Sequence, residues 1–204
     1  MNFFCLLVAS MVLLAQGQNP VKVTTFYESL CPDSIRFFTR QLEPTYNDLS
    51  DIMTVELHAY GKASDVQRPS GEGYIFTCQH GQEECYGNKV LGCGQQYITD
   101  HETYLDFAFC VMAADNPPSS GEACAAEVGV TYDPIVQCAN STEGENFLHD
   151  VGVIQSQLDP ELYYVPWIII NDVFTEENLD AAQDDLKSLV CSTYEGDLPS
   201  SCSA

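Results

Sequence analysis

Cysteine placement constrains this chain more than any other feature. The sequence holds ten cysteines, and the first, Cys5, lies in an uncharged apolar run from Met1 to Gly17. That run closes on Ala15-Gln16-Gly17, and small residues at 15 and 17 fit a signal-peptidase site. Residues 1–17 therefore read as a signal peptide, and residues 18–204 as one domain carrying an insertion at about 61–156. Nine cysteines stay with that domain. Such a density in a secreted chain implies a disulfide framework. Nine is odd, so at least one thiol has no partner within the chain. Cys78, Cys85, Cys93, Cys110, Cys124, Cys138, Cys191 and Cys202 are the candidates for structural bridges, and the sequence leaves their pairing open.

Cys31 is the candidate for the odd thiol because of what surrounds it. Val21 to Tyr27 is a β-branched, apolar run that reads as a buried strand. Cys31, Pro32, Asp33 and Ser34 follow, and then a helical stripe at Ile35, Phe38, Leu42, Tyr46 and Leu49. The lone cysteine thus stands where a strand ends and a helix begins. The first N–H groups of a helix lack intrahelical partners and carry partial positive charge. A thiolate there is stabilised and nucleophilic. Pro32 suits the first helical position, where no N–H is needed. Strand, Cys-Pro-x-x, helix is the layout of a thioredoxin-like redox centre, but the fourth position is Ser34 where a second cysteine would complete the pair.

The rest of the chain supplies a split α/β pattern. Pro44 predicts a kink or an early end to the first helix. Ile52 to Tyr60 alternates as a second strand, and Gly61 to Gly73 reads as a loop. One helical pattern spans Gln95 to Ala114, and short helices fit Glu122–Val128 and Asp133–Cys138. A longer helix fits Glu145–Gln157. Val165 to Ile170 reads as a strand, Asn171-Asp172 as a hairpin turn and Val173-Phe174 as the start of a return strand. Thr175 caps a last helix whose buried stripe is Leu179, Ala182, Leu186 and Leu189. The expected fold is α/β and thioredoxin-like, with a disulfide-rich, largely helical insertion. In such folds a proline at the start of a strand, here Pro166, is cis and faces the nucleophile.

Charge narrows the partners. Seven Lys and Arg stand against 30 Asp and Glu, a formal −23. Phosphate binding needs basic patches, so nucleic acid and anionic membrane surfaces are excluded as partners. Cys78, Cys85 and Cys93 with His80 lack the close paired ligands of common zinc motifs. They read as bridge cysteines, His80 as a loop residue, and no metal or cofactor is expected. Asn140-Ser141-Thr142 is a glycosylation acceptor, which places Asn140 on a surface loop in the secretory pathway.

The run Cys78-Gln79-His80-Gly81-Gln82-Glu83-Glu84-Cys85-Tyr86-Gly87-Asn88-Lys89-Val90-Leu91-Gly92-Cys93 matches a longer pattern, C-Q-H-G-x-x-E-C-x-x-N-x-x-x-x-C. It resembles the signature of the gamma-interferon-inducible lysosomal thiol reductases. The resemblance extends to Tyr164-Val165-Pro166-Trp167 and to the leader, first strand and Cys31. It implies a thioredoxin-like fold, secreted or lysosomal residence, and thiol-disulfide chemistry on disulfide-bonded protein substrates. Cys31 matches the attacking cysteine of that family, and Ser34 replaces the one that resolves the mixed disulfide.

The expected chemistry follows. The Cys31 thiolate attacks a substrate sulfur and forms a mixed disulfide. Release then needs a thiol from the substrate, which is isomerisation, or a small-molecule thiol, which is reduction. Ser34 can donate a hydrogen bond to the thiolate, and Asp33 places an opposing negative charge beside it. Pro32, Val165 and Pro166 are the expected substrate contacts. The alternative from another class is a redox-inactive thioredoxin-like module that binds proteins or peptides beside Pro166.

Overall fold

The computed structural model describes residues 19–203. The expected signal peptide lies outside them. Strand β1 (Val21–Tyr27) is the centre of a three-stranded sheet. It pairs in parallel with β2 (Met53–Ala59), from Val21 opposite Met53 to Tyr27 opposite Ala59. On its other edge it pairs antiparallel with β5 (Trp167–Ile170), from Val23 opposite Ile170 to Phe26 opposite Trp167. β1 is buried at every position but Lys22, and β5 at all of its positions. Strands buried on both sides read as continuous apolar runs, as these do, because helices cover both faces.

The connection from β1 to β2 is helical: α1 (Pro32–Phe37), a π turn (Phe38–Leu42) and α2 (Glu43–Leu49). The helix was expected to end or kink near Pro44, and it does neither in the simple way. The Glu43 N–H bonds back to the Phe38 carbonyl, five residues earlier. The widened turn restarts the helix, so Pro44 falls in a first turn, where its missing N–H is harmless.

Between β2 and β5 lie a hairpin and five helices. Residues 61–73, expected as loop, contain β3 (Ser64–Gln67), which pairs antiparallel with β4 (Tyr74–Thr77). Residues 82–94, read only as part of a cysteine cluster, form most of a further helix, α3 (Gln82–Tyr97), and the helix expected over 95–114 is α4 (His101–Ala113). Ile98 is extended between them, and the Asp100 carboxylate caps α4 by accepting from the Thr103 N–H. α5 (Gly121–Glu127), α6 (Asp133–Ala139) and α7 (Thr142–Gln155) follow.

After β5, Asn171 and Asp172 adopt φ of 50° and 62°, the left-handed pair of a tight hairpin turn. The expected return strand shrinks to one bridge, Ile170 to Val173. The turn is occupied with β1 instead: Asn171 N–H donates to the Lys22 carbonyl, and Lys22 N–H to Asn171 Oδ1, both at 2.9 Å. Phe174 leaves the sheet and stacks on Trp167 at 3.8 Å. Helix α8 (Glu176–Thr193) begins on the Thr175 cap and buries Leu179, Ala182, Leu186 and Val190, with Val190 in the place expected for Leu189. Within α8, Asp185 has non-helical angles. One hydrophobic core joins the sheet to the helical segment, from Val23 and Ile168 through Leu91 and Phe107 to Ile135. A smaller cluster of Tyr60, Phe76, Cys78, Cys85 and Leu148 fills the space beneath the hairpin.

Candidate active site around Cys31

The register of the sheet assembles the site. Phe26, next to the end of β1, pairs with Trp167, the first residue of β5. The segment leaving β1 therefore lies beside the segment entering β5. Cys31 is on the first and Pro166 on the second. The Cys31 sulfur points at the Val165 carbonyl oxygen, 3.9 Å away, and the Val165–Pro166 peptide is cis.

Cys31 is the N-cap of α1, with Pro32 as its first residue. Its carbonyl accepts from Ile35 N–H at 2.9 Å, so the thiol is carried on the helix start itself. It is buried, at 7% exposure. Among the described residues it is the only free cysteine. The other eight form Cys78–Cys85, Cys93–Cys138, Cys110–Cys124 and Cys191–Cys202. No sulfur of the Cys78, Cys85 and Cys93 group is left to hold a metal.

The remaining expected site residues fall as follows. Pro32 is exposed, while Val165 and Pro166 are buried. Ser34 is fully buried, and its hydroxyl accepts from Glu28 N–H at 3.4 Å. The expected hydrogen bond from Ser34 to the sulfur is absent among the described contacts, because the sulfur turns toward Val165. Asp33 is less of a repulsive charge than its sequence position implies. Arg36 Nη1 donates to Asp33 Oδ1 at 2.6 Å, and Tyr164 Oη donates to Oδ2 at 2.9 Å. Burial, then the bond to Asp33, pushes the Tyr164 hydroxyl up to about 12, so it stays a donor. Asn140 is exposed at the end of α6, and its Nδ2 donates to the Val136 carbonyl.

Sequence reasoning missed the residues that hold the Cys31 loop. Ser29 N–H donates to Asn88 Oδ1 at 2.9 Å, and Ser29 Oγ donates to the Glu84 carbonyl at 3.2 Å. Lys62 N–H donates to Glu28 Oε1 at 2.6 Å, and burial pushes the Glu28 carboxyl up. A Cβ at position 87 would lie 2.5 Å from Ser29 Oγ, so Gly87 lets α3 approach the loop. The available signal was the long motif: Glu84 and Asn88 are two of its fixed positions, spaced one helical turn apart on α3.

A family model described as gamma interferon inducible lysosomal thiol reductase matches residues 22–128. A gamma-interferon-inducible lysosomal thiol reductase from Carassius auratus is 35% identical over 189 residues, 90% of this chain and 72% of that one. A GILT-like protein 1 from Drosophila melanogaster is 34% identical over 213 residues, 97% of this chain and 84% of its own. Among solved structures, BdbD from Bacillus subtilis superposes with a TM-score of 0.61 at 13% identity, over 89% of this chain and 91% of that one. A thioredoxin-like oxidoreductase from Silicibacter pomeroyi gives 0.53 at 13% identity, over 82% and 86%. The fold is thioredoxin-like.

Proposed function

The chain belongs to the gamma-interferon-inducible lysosomal thiol reductase family, and on that premise we propose that this thiol-disulfide oxidoreductase works on protein disulfides through Cys31 alone. One observation carries the proposal: the one unbridged thiol among the described residues stands at a helix start, 3.9 Å from the carbonyl that precedes the cis proline.

The Cys31 thiolate attacks one sulfur of a substrate disulfide. The sulfur–sulfur bond breaks, a Cys31 mixed disulfide forms, and the other substrate sulfur leaves as a thiolate. In isomerisation, a second substrate thiolate attacks the substrate sulfur of that mixed disulfide and expels Cys31. In reduction, a small-molecule thiolate attacks the Cys31 sulfur and expels the substrate as a thiol. A second small thiol then restores Cys31 and departs as the oxidised small-molecule disulfide. Two small thiols lose two electrons and the substrate gains them.

Pro32, Val165 and Pro166 are the proposed substrate contacts, with Cys31 as nucleophile and Ser34 shaping the loop behind it. Residues 18–204 act as one thioredoxin-like unit in which residues 61–156 are inserted. The leader, the Asn140 acceptor and four disulfides support residence in the secretory pathway or lysosome. No helix among the described residues is long and apolar enough to cross a membrane. The binding-module reading is not favoured, since it gives the free thiol beside Pro166 no use.

The test is disulfide exchange on a folded, disulfide-bonded protein with a small thiol supplied. Cys31→Ser abolishes exchange and keeps the wild-type circular dichroism spectrum. Ser34→Cys raises turnover when the small thiol is scarce. Equal exchange by wild type and Cys31→Ser overturns the proposal.

A further inference from the structure

We propose that Glu28, His80 and Glu84 form a site for one divalent transition-metal ion of the Zn2+ class, at the base of the Cys31 loop. Each residue offers one ligand atom, and the three atoms lie within 4.8 Å of one another. His80 Nδ1 is 3.4 Å from Glu28 Oε2 and 2.5 Å from Glu84 Oε2. Ligand atoms at about 2.0–2.2 Å from a tetrahedral ion stand roughly 3.4 Å apart. The His80–Glu28 separation already has that value, and a small rotation of the Glu84 carboxylate brings the third atom to it.

The independent observation is Glu28 Oε2. It is fully buried, has no hydrogen-bond partner, and faces His80. Glu84 is equally buried. A buried carboxylate oxygen without a hydrogen-bond partner is seldom left so. A divalent cation supplies what is missing. The other oxygen of each carboxylate is already held. Lys62 N–H donates to Glu28 Oε1 at 2.6 Å, and His80 N–H donates to Glu84 Oε1 at 2.9 Å. Such outer bonds aim the ligating oxygens. Gly61, at a φ of +61°, wraps closely over Glu28, where a Cβ would lie 2.3 Å from Glu28 Cγ. The His80 side chain is 32% exposed, which gives an ion a way in. One nitrogen and two carboxylate oxygens suit Zn2+, Mn2+ or Fe2+ better than Ca2+ or Cu(I). The bound ion ties the Glu28 segment, whose carbonyl accepts from Cys31 N–H at 3.3 Å, to the start of α3. The site does not depend on Cys31 chemistry.

The experiment is Zn2+ titration, by calorimetry and a competing zinc indicator, under non-reducing conditions that preserve the four bridges. Cys31→Ser is the background, because a free thiolate also binds zinc. The expected result is one ion per chain, with binding weakened more than about tenfold in Glu28→Gln and in His80→Gln. His149→Gln, which removes the imidazole facing Asp65 at 2.8 Å, leaves binding unchanged. Saturating Zn2+ raises the melting temperature of the Cys31→Ser protein by roughly 5 °C, and chelator reverses it. That melt needs no ligand variant, so it decides the matter even where Glu28→Gln fails to fold. No uptake and no melting shift, or uptake unchanged in both ligand variants, overturns the proposal.

Discussion

Asn88 is remote in sequence from Cys31, yet it fixes the backbone that presents the thiol. Both it and Ser29 are fully buried, so losing the amide oxygen leaves the Ser29 N–H without an acceptor. Asn88→Ala is expected to cost about 1–3 kcal/mol of stability, read as a lower melting temperature. It also slows disulfide exchange more than a matched destabilisation elsewhere in α3. Wild-type exchange in a destabilised Asn88→Ala would separate the loop from the chemistry. At this scale the sequence disclosed the residues that local rules mark: a thiol before a helix, a proline at a strand start. It concealed the supports. Glu28, Ser29, Glu84 and Asn88 meet across more than fifty residues of chain, and no local rule reports that meeting. Ser34 shows the converse. Its position beside Cys31 suggested a bond to the sulfur, and tertiary geometry gave its hydroxyl to the Glu28 amide.

Among elements, an apolar pattern made a buried face legible, and polar or glycine residues on that face hid it. β1 and β5 were readable as apolar runs because both faces are buried, and β2 as an alternation, with Thr54 exposed between Met53 and Val55. The first turns of α3 bury Glu84, Gly87 and Asn88, so no apolar stripe marks them. The β3–β4 hairpin was not legible either, since Val66 is 63% and Ile75 46% exposed and polar residues interrupt both strands. Polar contacts hold that hairpin in place. Arg68 Nε donates to Glu145 Oε2 at 3.0 Å, and Tyr74 N–H donates to the same oxygen at 2.9 Å, joining the hairpin to α7. The Arg68 guanidinium beside Glu145 holds its carboxyl below the usual range. A carboxyl lowered in the folded state contributes stability above its unfolded value, about 4.3, and loses it as pH falls through the lower folded value. Glu145→Gln therefore melts a few degrees below wild type at pH 7 and pH 5, and the two curves converge below about pH 4. A gap that persists in stronger acid would remove the ion pair as its cause. The Cys93–Cys138 bridge spans 45 residues and joins α3 to α6, the longest closure of the four. Replacing both cysteines by alanine is expected to cost about 4 kcal/mol, against about 3 for the 11-residue Cys191–Cys202 closure. Chemical denaturation of the two double variants checks the order.

For the whole molecule, the shared core makes the helical segment part of the thioredoxin-like unit, since α3 and α4 contribute Leu91 and Phe107 to the same cluster as Val23 and Ile168. The helical segment thereby supplies the wall against which the Cys31 loop is set. Among the described residues four bridges are closed and one thiol is open, and the proposed chemistry follows from that: an attacking sulfur with no second cysteine to succeed it. Trapping tests this most directly. The protein, with its four bridges closed and Cys31 reduced, is mixed with a peptide whose one cysteine is a mixed disulfide with thiopyridine, so that the departing thione cannot attack back; no small thiol is present, and the adduct is located by mass spectrometry of a non-reduced digest. The account predicts one peptide per chain, on Cys31, stable until a small thiol is added and then released. No adduct, an adduct on another cysteine, or spontaneous release without added thiol would contradict it.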